Sequence, residues 1–119
     1  MYRILLVEDD PEFRSTLAEV LLGAYPEAAV REAGSGEEAL DRVDGWEPDI
    51  VFMDIGLPDT GGLELTRLVL ERHPQARVIV LTGHNLPEYR RAAARAGASG
   101  FAWKGDPSDV LLRLVREIA

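Results

Sequence analysis

This chain predicts an α/β fold, a doubly wound five-stranded parallel sheet covered by five helices, and three features of the sequence carry that expectation. Short apolar runs alternate with amphipathic segments five times. The middle runs, Leu5-Leu-Val7, Ile50-Val-Phe-Met53 and Val78-Ile-Val-Leu81, are apolar without alternation, as strands buried on both faces must be. Helix-start and helix-stop residues punctuate the segments between them.

In chain order, strands are expected at about 3–7, 28–33, 49–53, 77–81 and 99–103, with helices at about 11–23, 36–44, 61–72, 87–96 and 107–118. Asp10-Pro11 supplies an N-cap and a first-turn proline, and Asp106-Pro107 repeats the pair before the last helix. Ser35 and Glu38 have the spacing of a capping box. Gly45 and Gly97 are placed to end the second and fourth helices in the left-handed conformation. Phe13, Leu17, Val20, Leu21 and Ala24 form one apolar helix stripe, and Val110, Leu111, Leu114, Val115 and Ile118 another.

At 119 residues the chain has the size of a single domain, read as 1–119, and internal repeats, linkers and low-complexity segments are absent. With 21 acidic against 13 basic residues the net charge is −8, which repels nucleic acid. Arg90, Arg91 and Arg95 are the densest positive group and read as a solvated helix face. The absence of cysteine excludes disulfides, thiol catalysis and Cys-ligated metal, and fits a reducing compartment. No apolar stretch approaches the roughly 20 residues of a membrane span, and the amino terminus lacks a signal peptide, so a cytoplasmic protein is expected.

The polar residues at the strand ends carry the chemistry. Glu8-Asp9-Asp10 follows the first strand, Asp54 the third, Thr82 the fourth, and Lys104, the sole lysine beside 12 arginines, the fifth. Parallel sheets bind ligands at the carboxyl ends of their strands, so these side chains converge on one edge. Glu8 and Asp9 offer the hard oxygens that Mg²⁺ takes. Asp54 is a competent nucleophile toward phosphorus, giving an acyl phosphate. Lys104 supplies a mobile point charge and Thr82 a hydroxyl donor for phosphoryl oxygens. Asp10 reads as a cap, His73 as a helix-end residue and His84 as a solvated loop residue.

Four segments then resemble the receiver domain of two-component response regulators over essentially the whole chain. They are Leu5-Leu-Val-Glu-Asp-Asp10, Asp49-Ile-Val-Phe-Met-Asp-Ile-Gly-Leu-Pro-Asp-Thr-Gly-Gly-Leu63, Val78-Ile-Val-Leu-Thr-Gly83 and Gly97-Ala-Ser-Gly-Phe-Ala-Trp-Lys104. The resemblance implies the flavodoxin-like receiver fold, with Asp54 as phosphoacceptor and Glu8 and Asp9 as the acidic pair. It implies Mg²⁺ held by Asp9, Asp54 and the Gly56 backbone carbonyl, with Glu8 acting through water. Thr82 and Lys104 would contact the phosphoryl group, Phe101 would be the aromatic switch, and Pro58 and Gly62 would shape the intervening loop. The implied partner is a sensor histidine kinase or phosphotransfer protein. A homodimer on phosphorylation, no nucleic-acid contact by this domain and no membrane contact belong to the same expectation.

Two departures matter. Gly105 follows Lys104 where many receivers carry a cis-linked proline, and Gly56 and His84 occupy the variable positions two residues beyond Asp54 and Thr82. The reading is a phosphorylatable receiver, either acting alone or as part of a DNA-binding transcriptional regulator, and not an enzyme with a separate substrate. An aspartyl-phosphate phosphohydrolase is the rival, but those enzymes place a general-acid Asp where this chain has Gly56.

Overall fold

A computed structural model describes residues 2–118. The elements alternate strictly: β1 Arg3–Val7, α1 Pro11–Ala24, β2 Ala29–Ala33, α2 Gly36–Trp46, β3 Ile50–Asp54, α3 Gly62–Arg72, β4 Arg77–Thr82, α4 Pro87–Arg95, β5 Gly100–Trp103 and α5 Ser108–Ile118. The five strands form one parallel sheet in the order β2-β1-β3-β4-β5.

That order locates the site. The chain leaves β1 for β2 on one side and then crosses to β3 on the other, so the connections diverge above the carboxyl ends of β1 and β3 and open a crevice there. Glu8 follows β1 directly, and Asp54 is the last residue of β3.

Because successive side chains in a strand point to opposite faces, the uninterrupted apolar runs feed two cores. Leu5, Val7, Val51, Met53, Val78, Val80 and Phe101 pack with Ala39, Val43, Leu65, Val69 and Ala93 of α2, α3 and α4. Ile4, Leu6, Ile50, Phe52, Ile79, Leu81 and Ala102 pack with Leu17, Leu21, Leu111 and Val115 of α1 and α5. Each fully buried large apolar side chain contributes about 1.5–3 kcal/mol before conformational entropy is subtracted. Of the expected stripes, Phe13, Leu17 and Leu21 of α1 and Leu111, Leu114, Val115 and Ile118 of α5 face this second core, whereas half-buried Val20 and Val110 and exposed Ala24 are not among its residues.

The caps show where local signals held and where they gave way. Asp10 Oδ1 accepts from the Glu12 and Phe13 amides, and Ser35 Oγ accepts from the Glu38 amide. Gly97 takes a left-handed φ of 100° after α4. Gly45, expected to end α2, lies inside it instead: the helix runs to Trp46, and Glu47 is the left-handed cap, with φ of 52° and its N–H donating to Val43 O. Pro48, which cannot prolong the helix, is the physical stop. Asp106 also departs from expectation, since its carboxylate accepts from the Trp103 amide behind it.

Candidate functional site

The site is built from four strand ends. Glu8 is held as if it were one more residue of β1, its amide donating to Ala33 O of β2, and its side chain is buried to 1% exposure. Asp9 follows it into solvent, and Asp10 turns away to cap α1. Asp54 is 4% exposed at the end of β3, where the chain turns back so tightly that the Gly56 amide donates to its Oδ1 at 3.0 Å. Gly62 permits that turn: a Cβ there would lie 2.1 Å from Asp54 O and 2.6 Å from Ile55 Cα. The Lys104 amide donates to Thr82 O, which aims the lysine back across the sheet edge.

Lys104 Nζ lies 2.6 Å from Glu8 Oε1 and 3.4 Å from Asp54 Oδ1, and 5.2 Å from the centre of the Phe13 ring. Carboxylate oxygens of Glu8, Asp9 and Asp54 all lie within 4.8 Å of one another. Burial pushes the Glu8 carboxyl up to about 7, against the opposing pull of the Lys104 ammonium and the Asp10 amide. Burial works to lower the Lys104 ammonium, but Glu8 and the negative charge of Asp54 outweigh it and raise the group. Desolvation is the largest single influence on Asp9 and raises it, but hydrogen bonds with Asp54 and Glu8, joined by its own backbone and the Lys104 charge, together outweigh it, so the carboxyl is lowered.

The donor set tests what the site could hold. Lys104 gives Glu8 Oε1 a charge partner without a well-directed hydrogen bond, leaving a buried oxygen with no donor. Three carboxylates face a single ammonium. A hard, all-oxygen cluster with this excess of negative charge fits a small divalent cation such as Mg²⁺.

Beside the acids lies an open cleft of about 390 Å³ lined by Asp9, Asp54, Ile55, Gly56, Thr82, Gly83, His84, Tyr89 and Lys104. Thr82, fully buried, exchanges two hydrogen bonds with the His84 main chain: its hydroxyl donates to His84 O at 3.1 Å and accepts from His84 N at 3.0 Å. Phe101, 8% exposed, lies against α4 with the Arg90 guanidinium 4.6 Å over its ring. Arg90 therefore packs on an aromatic face and is not merely solvated.

The sequence-expected residues Glu8, Asp9, Asp54, Gly56, Thr82 and Lys104 thus meet around one crevice, and Phe101 lies on the strand beside it. Sequence reasoning missed two of its neighbours. Tyr89 lines the cleft one helical turn into α4, with its ring 6.5 Å from that of His84. Arg14, one turn into α1, donates to Glu8 O at 2.7 Å. Their position in the first turn after a strand-end loop was the available signal.

A five-stranded 2-1-3-4-5 parallel sheet with a carboxylate cluster and a lysine at its switch point defines the flavodoxin-like class of doubly wound folds. The family model for the response regulator receiver domain matches residues 4–116, and the chain belongs to that family. It is 44% identical over 115 residues to the transcriptional activator protein ExaE of Pseudomonas putida, covering 97% of this chain and 54% of the relative. It is 40% identical over 119 residues to the DNA-binding transcriptional activator DevR/DosR of Mycobacterium tuberculosis, covering 99% and 54%. The chain thus spans about half the length of these curated relatives. Among solved structures, a LuxR-family two-component response regulator from Aurantimonas sp. SI85-9A1 superposes with a TM-score of 0.91 at 34% identity, covering 99% of this chain and 84% of the other. A CheY-like receiver domain protein from Methanospirillum hungatei JF-1 gives 0.89 at 26%, covering 98% and 92%. These relatives are regulators. Among the described residues no helix is long and apolar enough to cross a membrane.

Proposed function

We propose that this receiver domain accepts a phosphoryl group on Asp54 from a histidine kinase, a phosphotransfer protein or a small phosphodonor. The observation that carries the reading is the Lys104 ammonium bridging Glu8 and Asp54 at the mouth of the crevice. Asp54 Oδ1 is already engaged by the Gly56 amide and the ammonium, so the other carboxylate oxygen attacks phosphorus. An O–P bond forms, the N–P bond of a phosphohistidine breaks, and its electron pair returns to the imidazole nitrogen, which takes up a proton. Lys104 moves its charge from Asp54 to the transferred oxygens. Water reverses the modification by attacking the same phosphorus, and Gly56 presents no side chain to shield it.

Glu8, Asp9, Asp54 and the Gly56 carbonyl would hold Mg²⁺, which when bound neutralises phosphoryl oxygens. Thr82 reaches the phosphoryl group only by giving up its two bonds to His84, which frees the β4–α4 loop. The space it vacates admits the Phe101 ring, and the face formed by α4, β5 and α5 changes shape in a two-state shift. Thr82, Lys104 and Phe101 are thereby the parts that read the phosphoryl group out to a surface.

The similarity to transcriptional activators, each about twice this length, supports a receiver that controls a DNA-binding output. The phosphohydrolase reading is disfavoured because the position two beyond Asp54 is Gly56, whose backbone has no acid to protonate a leaving group. The test is intact mass after incubation with acetyl phosphate and Mg²⁺. Wild type gains one phosphoryl group, Asp54→Asn gains none, and a chelator abolishes the gain. Equal labelling of both proteins overturns the assignment.

A further inference from the structure

Arg14 lies outside the acidic cluster and grips the backbone that carries it. Side chains in a helix lean toward its amino end, so from the first turn of α1 the guanidinium reaches back over the loop it has just left. Nη1 donates to Glu8 O at 2.7 Å, while Nε donates to Glu32 Oε1 of β2, also at 2.7 Å. The Glu8 amide is meanwhile fixed to Ala33 O. Both faces of the Glu8 residue are therefore tied, and the peptide plane that leads into Asp9 has little freedom to rotate.

The passage for this side chain is also provided for. Gly34 lies beneath the guanidinium, and a Cβ there would come within 3.3 Å of Nη1. Glu32 keeps the planar group oriented, so its fork spans two fixed acceptors on different elements, a task for which an ammonium has the wrong shape. The Arg14 side chain is 21% exposed but that of Glu32 is 45% exposed, so the ion pair is screened and serves mainly to orient the guanidinium, while the bond to Glu8 O holds the backbone.

We propose that Arg14 is a positioning residue for the cation site: it acts through the Glu8–Asp9 peptide, holding the Asp9 carboxylate toward Glu8 and Asp54. The inference rests on the metal-dependent phosphoacceptor reading above and adds a residue to it. Loss of the clamp lets the loop rotate about Asp9, so cation binding weakens while the nucleophile and Lys104 stay in place.

Calorimetric Mg²⁺ titration of wild type, Arg14→Gln, Arg14→Lys, Glu32→Gln and Val43→Ala tests it, with amide NMR shifts of Asp9 and Gly56 as a second readout. Arg14→Gln weakens Mg²⁺ binding about tenfold, in the range seen when groups orienting metal ligands are removed. Arg14→Lys, able to satisfy only one acceptor, recovers part of the loss, and Glu32→Gln shows a smaller one. Val43→Ala, destabilised in α2 far from the site, binds as wild type does. At saturating Mg²⁺ the rate of acetyl phosphate labelling in Arg14→Gln stays near that of wild type. Unchanged Mg²⁺ affinity in Arg14→Gln, or an equal loss in Val43→Ala, shows Arg14 to be only a structural staple and overturns the proposal. Should wild type bind Mg²⁺ with the Arg14 dependence yet take no phosphate, the phosphoacceptor reading falls and the positioning role stands.

Discussion

The Trp103 indole occupies the volume that a side chain on Gly105 would need: a Cβ at Gly105 would lie 2.5–2.8 Å from three of its ring atoms. The ring is 39% exposed, and its Nε1 donates to Gly83 O at 3.3 Å, tying β5 to the β4–α4 loop. Gly105→Ala therefore drives the indole outward and breaks that bond. In a Trp46→Phe background the variant's emission shifts to the red, with a stability loss of about 1 kcal/mol or less. Gly83→Ala, whose Cβ meets nothing within 4 Å, leaves the spectrum unchanged. Identical spectra for Gly105→Ala and wild type would refute the contact.

The same indole reports activation. Trp103 shares its strand face with Phe101, two residues back, and bonds the β4–α4 loop that Thr82 would release in the proposed switch. Trp46 sits at the far end of α2 with Arg31 4.6 Å over its ring. Beryllofluoride, a phosphoryl mimic, added with Mg²⁺ to Trp46→Phe protein shifts or quenches the remaining emission, and Asp54→Asn suppresses the response. A silent Trp103 in protein shown by mass to carry phosphate on Asp54 would exclude a switch through Phe101.

Charge crowding makes the resting site a source of instability. Two carboxylates at the 4.8 Å limit of this cluster repel by roughly 3–4 kcal/mol at an effective dielectric of about 20, less after screening by water and Lys104. Asp54 has two such neighbours and one cation, and because Glu8 is raised to about 7 both neighbours are fully charged only above neutral pH, where the comparison is made. Without metal, Asp54→Asn melts above wild type by about 3–6 °C for each kcal/mol relieved. Mg²⁺ stabilises wild type more and narrows the gap. A mutant that melts lower in metal-free buffer would mean the carboxylates do not repel as placed.

How legible this was from sequence depends on whether a residue acts through its neighbours in the chain or across the fold. The strands announced themselves because Leu5, Val51 and Val78 sit in runs apolar on both faces, and Asp10-Pro11 fixes a helix start within a few residues. Glu8, Asp9, Asp54, Thr82 and Lys104 were legible because strand ends in a parallel sheet share one edge. Arg14 was not, since its target is a main-chain oxygen and an arginine on a helix reads as solvated. Gly45 misled for the converse reason: glycine favours a helix stop, but tertiary packing of Trp46 and the following Pro48 moved the cap to Glu47.

Asp59 is another residue visible only in three dimensions. Its carboxylate accepts from the Gly36 amide at 2.9 Å and the Glu37 amide at 3.2 Å, capping α2 from the loop that follows Asp54. Those two hydrogen bonds hold the carboxyl below its ordinary 3.8. A carboxyl lowered in the folded state gives stability that is fully present above the unfolded value and lost as pH falls through the folded one. At pH 7 Asp59→Ala is therefore less stable to urea than wild type, and the gap closes as the pH drops below 3.8. Gly36→Ala separates charge from packing, because its Cβ would come within 2.9 Å of Thr60 Cβ and push the loop away at every pH. Urea midpoints from pH 7 down to 3 check both variants. If the Asp59→Ala gap were constant across that range, the carboxylate would not be the group holding this loop to α2.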